Sequence, residues 1–448
     1  MPDNRVEPRL GRALLAGYAA PGLGLAALTF PVYIFLPAFY GGVLGLAPFV
    51  ISAVLLGTRL WDMVTDPLLG WASDRYRLPG GHRKGWMLIG LPLVMLGAWM
   101  LFVPPEDAGW AHLLAWSLVM FTGWSALYVP HMAMAPGLSA DYHQRTRLTG
   151  WREGAMVAGS MIVLGLAAAF SPADAEPGES REALQAVAIW VLVALPIGVA
   201  LLWKLVPEPE HQVTTGQDWR SGAQALWQNS AFRKLIAAYV LNAVANGVPA
   251  SLFLIYAGSV LQVTAEQAGI LLMVYFLVGV LAVPLWLALS RRYGKHKSWC
   301  GAMVSVCVIF AMVPLLGEGD FVLFLLICMG TGLGFGADLA LPGAMQADVV
   351  DEDQRLSGQR RAGLIFALWG MATKASLAVS GALAFAILGL VGFDPDADVA
   401  TLDDTVRWTI IALYGIAPIP FKLISIAVIR NFPLTEEKMS ELHGSPEA

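Results

Sequence analysis

The sequence predicts an all-α membrane protein of twelve transmembrane helices, arranged as two six-helix bundles related by pseudo-symmetry, with both termini in the cytoplasm. Three observations predict this fold class: an apolar composition, an alternation of basic and non-basic loops, and an internal repeat. Hydrophobic residues make up 57% of the 448 positions and charged residues only 14%, whereas a soluble protein carries about 25% charged residues. The composition therefore excludes an ordinary soluble domain.

The apolar runs divide the chain into spans and larger segments. A helix needs about 20 mainly apolar residues to cross the hydrocarbon core of a bilayer. Twelve runs meet this length, in residues 13–40, 46–72, 86–104, 111–138, 148–170, 184–205, 233–259, 266–289, 298–316, 320–346, 362–390 and 405–429. The predicted segments are an N-terminal bundle (1–206), a cytoplasmic linker (207–231), a C-terminal bundle (232–432) and a cytoplasmic tail (433–448).

Lysine and arginine concentrate in alternate loops. The basic stretches are 75–84, 143–147, 207–234, 291–297 and 355–361. The opposite loops at 104–112, 261–269 and 317–320 contain neither residue. Because basic loops stay in the cytoplasm, this alternation predicts that both termini and the central linker are cytoplasmic.

The two halves of the chain resemble each other in sequence. Residues 66–86 are similar to 283–299, and residues 140–156 are similar to 347–364. A parallel duplication of six spans joined by a polar linker is typical of the major facilitator architecture. Such a fold is expected to bind its substrate between the halves and to move by rocking one half against the other.

Two acids interrupt the second span, in the stretch RLWDMVTDPLLGWASDR at residues 59–75. Asp62 and Asp66 are four residues apart and share one helix face. Each charge costs about 2.5–3.5 kcal/mol at the middle of a bilayer. The repeat aligns these positions with Gly279 and Val283. Because a structural pair is expected in both halves of a duplicated scaffold, the asymmetry favours a functional role.

Two carboxylates in an apolar site have two chemical uses. They could supply oxygen ligands to Na⁺, a hard cation, with help from the Thr65 hydroxyl. Alternatively, desolvation and mutual repulsion could make one of them carry a proton at neutral pH. Both uses predict a symporter, and a structural salt bridge to Arg59 is the alternative.

Further polar side chains lie in or beside apolar runs. Lys374 could balance the two acids, contact a substrate anion, or extend to the interface. Asp338 has no partner that is obvious from sequence, and His131 could be an interior histidine or a ligand. Arg145 is expected to pair with Asp348 across the halves as a cytoplasmic gate; solvated loop charge is the alternative.

These motifs resemble the glycoside–pentoside–hexuronide:cation symporters, typified by the melibiose permease, along essentially the whole chain. The resemblance implies a cation site of Asp62, Asp66, Thr65 and Ser125, with the two aspartates as the metal ligands. It implies that Arg152, which opens the fifth span, and Lys374 bind substrate. It also implies a cytoplasmic gate formed by Arg145, Asp348, Asp351 and Arg360.

The sequence departs from this family where sugar is bound. The first-helix acid of the sugar-binding members has no counterpart, since Ala26 lies nearest to its position. A fourth-helix acid is replaced by Tyr128, and a tryptophan that stacks on sugar is replaced by Met132. Trp124 and Trp369 are further candidates for an apolar and aromatic lining, which could still stack on a sugar ring.

The expected function is cation-coupled symport, with Na⁺ or H⁺, of a small organic solute that the resemblance identifies as a sugar or glycoside. The alternatives are a carrier of lysophospholipid or another amphiphile, and a membrane scaffold that does not transport. An enzyme is not expected, because no nucleophile elbow, phosphate loop or metal-ligand cluster is present. We expect a monomer in a bacterial inner membrane, with the bilayer, the solute and the coupling cation as partners, no nucleic acid, and no cofactor beyond that cation.

Overall fold

The computed structural model describes residues 10–28, 30–139, 141–171, 180–209, 224, 226–359, 361–393 and 403–444. Within these segments all the regular elements are helices, and one isolated β-bridge joins Leu78 to Gly81. The expectation of an all-α protein is therefore confirmed.

The helices vary widely in length. In chain order they are α1 (Arg12–Ala19), α2 (Pro21–Leu25), α3 (Phe30–Ala38), α4 (Pro48–Arg75), α5 (Lys84–Phe102), α6 (Trp110–Leu138), α7 (Tyr142–Phe170), α8 (Arg181–Leu205), α9 (Ser230–Ser259), α10 (Ala265–Tyr293), α11 (Lys295–Phe310), α12 (Phe321–Ser357), α13 (Ala362–Leu390), α14 (Asp404–Ile411), α15 (Pro418–Ile429) and α16 (Glu436–Gly444). The π-helical turn Ala412–Ile416 connects α14 to α15.

Ten helices in the described part of the chain are long and apolar enough to cross a membrane, with Asp404–Ile429 counted as one helix, and α4 is not among them. The first predicted span, 13–40, is instead divided into α1, α2 and α3, with a 3₁₀ turn at Ala26–Leu28. Pro21 begins α2 and lacks the N–H group that a continuous helix would use. The chain is a multi-pass membrane protein, while the count of twelve spans and the cytoplasmic termini stay predictions.

Exposed apolar side chains form a single stripe along α10. Ile270, Met273, Leu277, Leu281 and Leu285 are each between 38% and 67% exposed. Their spacing of three or four residues places them on one face of the helix. An exposed apolar face of this length is suited to contact with lipid.

The chain forms two compact units. The first contains Met1–Leu226 and Val350–Met371, and the second contains Trp227–Val349 and Ala372–Ala448. Each unit has its own apolar core; Phe39 and Tyr40 belong to the first core, and Tyr256 and Phe324 to the second. The first unit thus includes the end of α12 and the beginning of α13. The segment boundaries expected from sequence stay a prediction.

Close packing of α5 on α6 depends on small residues. A Cβ atom added at Gly90 would lie 2.6 Å from the carbonyl oxygen of Gly123, and one added at Gly123 would lie 2.7 Å from the backbone nitrogen of Val94. Small residues let helix backbones approach in a membrane, where packing contributes much of the association energy. This interface positions α6, which carries several of the candidate site residues.

The Gly90→Ala substitution is expected to lower the free energy of unfolding by about 1–3 kcal/mol, because the added methyl group forces two backbones apart. Thermal or denaturant unfolding of the purified protein would measure the change. The matched control is Gly165→Ala, since a Cβ at Gly165 in α7 meets no atom within 4 Å. An equal loss of stability in both variants would contradict this account of the interface.

Candidate cation and solute sites

The acids of α4 lie inside the first unit. Asp62 is fully buried and Asp66 is 3% exposed. Ser125, fully buried on α6, donates a hydrogen bond from its hydroxyl to the Oδ1 atom of Asp66. The structure therefore brings together two of the predicted cation ligands from different helices.

Residues next to the acids along α4 make two further hydrogen bonds that involve hydroxyl groups. The Thr65 hydroxyl donates to the backbone oxygen of Asp62, with 3.4 Å between the oxygens. Trp61 donates from Nε1 to the hydroxyl oxygen of Thr122 on α6, at 2.9 Å. This bond connects α4 to α6 one residue before Asp62, so it helps to hold the acids against Ser125.

The chemistry of this set suits a small hard cation or a proton. Its donors are carboxylate and hydroxyl oxygens, which are the ligands that hard cations prefer. In the part of the chain that the structure describes, no cluster of three or more His, Cys, Asp or Glu side chains is placed to hold a metal ion.

The solute candidates on α6 and α13 in the first unit are mostly aromatic and apolar side chains. The ring centroids of Trp124 and Tyr128 are 5.2 Å apart. Met132, one turn further along α6, and Trp369 at the beginning of α13 are both buried. These side chains offer ring and thioether surface, and the Tyr128 hydroxyl is the polar atom among them.

Arg152 lies nearby in a charged and aromatic cluster. Its guanidinium is 2% exposed and pairs with the Glu153 carboxylate at 2.5 Å. It also donates to the hydroxyl oxygen of Tyr18 in α1, at 3.4 Å. Tyr18 and His131 exchange hydrogen bonds: the tyrosine hydroxyl donates to the His131 carbonyl oxygen, and the His131 Nε2 atom lies 2.7 Å from the Tyr18 carbonyl oxygen. His131 is thus an interior histidine that joins α6 to α1.

The predicted gate residues are found in two different ion pairs. In the first unit, Arg145 donates to the Asp351 carboxylate and to the backbone oxygens of Pro136 and Ser139. In the second unit, Lys295 pairs with Asp348 at 2.6 Å, and both side chains are fully buried. Arg360 lies outside the described residues. The pairing of Arg145 with Asp348 stays a prediction.

Asp74 connects the end of α4 to the beginning of α13. Its carboxylate accepts hydrogen bonds from the backbone N–H groups of Gly363 and Leu364, at 2.9 and 3.0 Å, and from Arg83 at 2.5 Å. The first N–H groups of a helix have no partner within it, and a negative charge is favourable at that end. A Cβ on Gly70 would lie 2.5 Å from the Gly363 carbonyl oxygen, so only glycine permits this approach.

Charged neighbours also affect the loop between α4 and α5. Burial, together with the charges of Arg83 and Arg77, lowers the pKa of His82. The histidine is therefore neutral near pH 7, and the positive charge next to it is that of Arg83.

The second unit contains a polar cluster that the sequence did not reveal. Asp338 accepts hydrogen bonds from the side-chain amides of Asn242 and Asn246, at 3.0 and 2.8 Å, and from the Trp299 indole at 2.6 Å. The ammonium group of Lys422, which is 1% exposed, donates to the amide oxygens of both asparagines, each at 2.7 Å. Lys374, predicted to bind substrate, lies in the same unit and is half-buried.

A sequence signal existed for part of this cluster. Lys422 is a lysine inside an apolar run, as Lys374 is, and the same reasoning would have singled it out. Asn242 and Asn246 are four residues apart on α9 and share a face. No local pattern indicates that this face meets Asp338, because the residues are more than 90 positions apart.

Comparison with known proteins finds a family model and relatives that cover most of this chain. The family model described as "MFS/sugar transport protein" matches residues 17–436. A putative glycoside/cation symporter, YagG, of Escherichia coli strain K12 is 24% identical, with 94% of this chain and 92% of the relative covered. The sodium-dependent lysophosphatidylcholine symporter 1 of Mus musculus is also 24% identical, with 90% and 82% covered.

A similar fold is found among solved structures. A Major Facilitator Superfamily transporter, FucP, crystallised in the outward conformation, superposes with a TM-score of 0.65 at 15% identity, over 92% of this chain and 99% of the other. At this identity the likeness concerns the fold alone.

The Asp74→Ala substitution is expected to lower the free energy of unfolding by about 3–5 kcal/mol, because it leaves a buried arginine and two helix N–H groups without their acceptor. Unfolding of the purified protein in detergent would measure the loss. The Glu441→Ala control removes an exposed pair with Lys438 and is expected to leave the unfolding temperature unchanged. A loss no greater than that of the control would contradict the role assigned to Asp74.

Proposed function

We propose a function for this chain from the premise that it belongs to the MFS/sugar transport protein family. It is a transporter with the major facilitator fold and not an enzyme. The proposed activity is symport of a small organic solute with Na⁺ or H⁺, by alternating access in a bacterial inner membrane. The putative glycoside/cation symporter of Escherichia coli supports both the coupling and the location.

The burial of Asp62 and Asp66 beside Ser125 is the single observation that carries the coupling proposal. In an apolar bundle a carboxylate is costly unless it is neutralised by a cation, a proton or a hydrogen-bonded partner. Binding a cation or a proton would change the net charge of these two acids, and this is what coupling to a second ligand requires.

Asp62 and Asp66 are the proposed metal ligands, with Ser125 and Thr65 completing the oxygen set. Each of the two acids can supply more than one oxygen. The two cations make different demands on this set, because Na⁺ needs several oxygens at once whereas H⁺ needs a single carboxylate. Experiment can therefore distinguish them.

Solute binding is proposed for Trp124, Tyr128, Met132, Arg152 and Trp369 of the first unit and for Lys374 of the second. The aromatic pair offers a surface on which a sugar ring could stack. Arg152 offers a positive charge for an acidic group such as a uronate. In this role its guanidinium would release the Glu153 carboxylate and bind the acidic group of the solute instead.

A lysophospholipid carrier is the second candidate function. Its support is the similarity to the sodium-dependent lysophosphatidylcholine symporter of Mus musculus, together with the apolar character of Trp124, Met132 and Trp369. Competition between lysophosphatidylcholine and a methyl glycoside for the purified protein would distinguish the two candidates, since only one class should bind in a cation-dependent way.

The substitutions Asp62→Asn and Asp66→Asn are each expected to abolish cation-dependent stabilisation. A ligand present at one hundred times its Kd adds about 2.7 kcal/mol to the free energy of unfolding, so saturating Na⁺ or H⁺ should raise the melting temperature of the unaltered protein measurably. The Ser125→Ala variant is expected to weaken cation binding roughly tenfold, through the loss of one hydrogen bond worth about 1 kcal/mol or more.

Melting temperatures measured against Na⁺ and Li⁺ concentration and pH would test these expectations. The control is Asp107→Asn, which makes the same chemical change at an exposed loop position and should retain the full cation response. Cation dependence that survives both α4 substitutions would exclude the proposed coupling site.

A further inference from the structure

The polar cluster of the second unit consists of Asp338, Asn242, Asn246, Trp299 and Lys422, and the proposed coupling site does not use it. Its charges are separated by two amides. Each asparagine accepts from Lys422 through its side-chain oxygen and donates to Asp338 through its side-chain nitrogen. The positive and negative charges therefore balance inside the cluster, and the amides hold the carboxylate in a set orientation.

The cluster has a buried end and an accessible end. Lys422, Asn242 and Trp299 are at most 2% exposed, whereas Asp338 and Asn246 are half-buried. Access to the cluster is thus through these last two residues.

Both accessible residues keep hydrogen-bonding capacity. A carboxylate has about four lone-pair positions; the Oδ1 atom of Asp338 accepts from Asn242 and Trp299, and its Oδ2 atom accepts from Asn246. Among the residues that the structure describes, no other donor reaches Oδ2. The side-chain nitrogen of Asn246 has a second N–H that donates to no group in the same described segments. One acceptor and one donor therefore lie next to each other.

The accessible end points away from the face of α12 that is suited to lipid. The exposed apolar residues Val322, Leu326, Met329 and Leu333 form a stripe along that helix. Asp338 follows Leu333 by five residues, which is about 140° around the helix at 100° per residue. The accessible carboxylate is consequently on the far side from the apolar stripe.

Two aromatic rings accompany this end of the cluster. Phe335 lies one turn before Asp338 on α12 and stacks on Tyr275 of α10, with ring centroids 5.2 Å apart. Tyr275 lies two residues before exposed Leu277, or about 200° around α10, so it too is opposite an apolar stripe. Both rings are half-buried.

We propose that Asp338 and Asn246 form a hydroxyl-binding subsite for a polyhydroxylated solute, with Tyr275 and Phe335 as its apolar wall. Hydroxyl groups both donate and accept, so neighbouring hydroxyls of one solute can donate to the Oδ2 atom of Asp338 and accept from the free N–H of Asn246. Because Lys422 already balances the carboxylate, the subsite selects a neutral hydroxyl over a cation. The inference rests on the proposed symport, and it assigns the solute to the glycoside class.

The test uses the purified full-length protein at fixed Na⁺ concentration and pH. Binding of the methyl β-glycosides of glucose, galactose, xylose and glucuronic acid, and of their monodeoxy analogues, is measured by titration calorimetry. At least one methyl glycoside should bind, and removal of one particular hydroxyl should weaken binding roughly tenfold to a hundredfold, since it leaves buried polar groups unpaired.

Asn246→Ala is the diagnostic variant and Asn242→Ala is its matched control. Both substitutions remove one bond to Lys422 and one to Asp338, but only the first removes the accessible N–H. Asn246→Ala should weaken glycoside binding at least tenfold and reduce the penalty for the deoxy analogue, while Asn242→Ala should retain that penalty. Asn246→Ser serves the same purpose if the alanine variant does not fold.

Three outcomes would overturn the subsite. The two variants could bind the glycoside equally, or the deoxy penalty could be unchanged in the Asn246 variants. The protein could also bind lysophosphatidylcholine and no methyl glycoside. The cation-dependent melting temperature is recorded for every sample. If that response persists in the unaltered protein and is lost in Asp66→Asn, the symport proposal stands even when the subsite fails. If the response is absent from the unaltered protein, the symport proposal itself fails.

Discussion

Burial of charge among apolar helices is the constraint on which the rest of this structure depends. A charged group inside such a bundle is tolerated only when another group compensates it. In the first unit, Arg145 lies against Asp351, and Asp74 receives Arg83 together with two N–H groups of α13. In the second, Lys295 pairs with Asp348. Arg145 joins α7 to α12 and Asp74 joins α4 to α13, so compensation of charge also positions helices that are far apart in sequence.

The two units meet this constraint in different ways. In the second unit, Asp338 is balanced by Lys422 through two amides, and the cluster needs no ion from outside. In the first unit, α4 carries two acids, and the partner contributed by Ser125 is an uncharged hydroxyl. The cation response is proposed for the first unit and the hydroxyl subsite for the second.

Such a division suits a symporter, in which one ligand is a cation and the other is a solute recognised by its shape and hydrogen bonds. The lining of the first unit, with Trp124, Tyr128 and Met132, provides more ring and thioether surface than hydrogen-bonding groups. In the second unit, the accessible carboxylate of Asp338 and amide of Asn246 are the hydrogen-bonding groups proposed for a hydroxylated solute. The proposed selectivity therefore depends on a cluster outside the motifs through which the sequence resembles sugar symporters.

Composition, span length and helical spacing were enough to predict an all-helical membrane protein and to select Asp62 and Asp66, because these features are encoded within one helix turn or one apolar run. The internal repeat and the family resemblance added the prediction of a transporter. The partners of those residues were not encoded locally. Ser125 meets Asp66 across 59 positions and Asp74 meets Gly363 across 289, and Lys422 was not singled out although it lies in an apolar run as Lys374 does. The sequence by itself determined the all-helical, multi-pass character of the chain and where charge would be costly. Only the tertiary structure decided which groups compensate each charge, because helix packing brings together side chains that no periodicity connects.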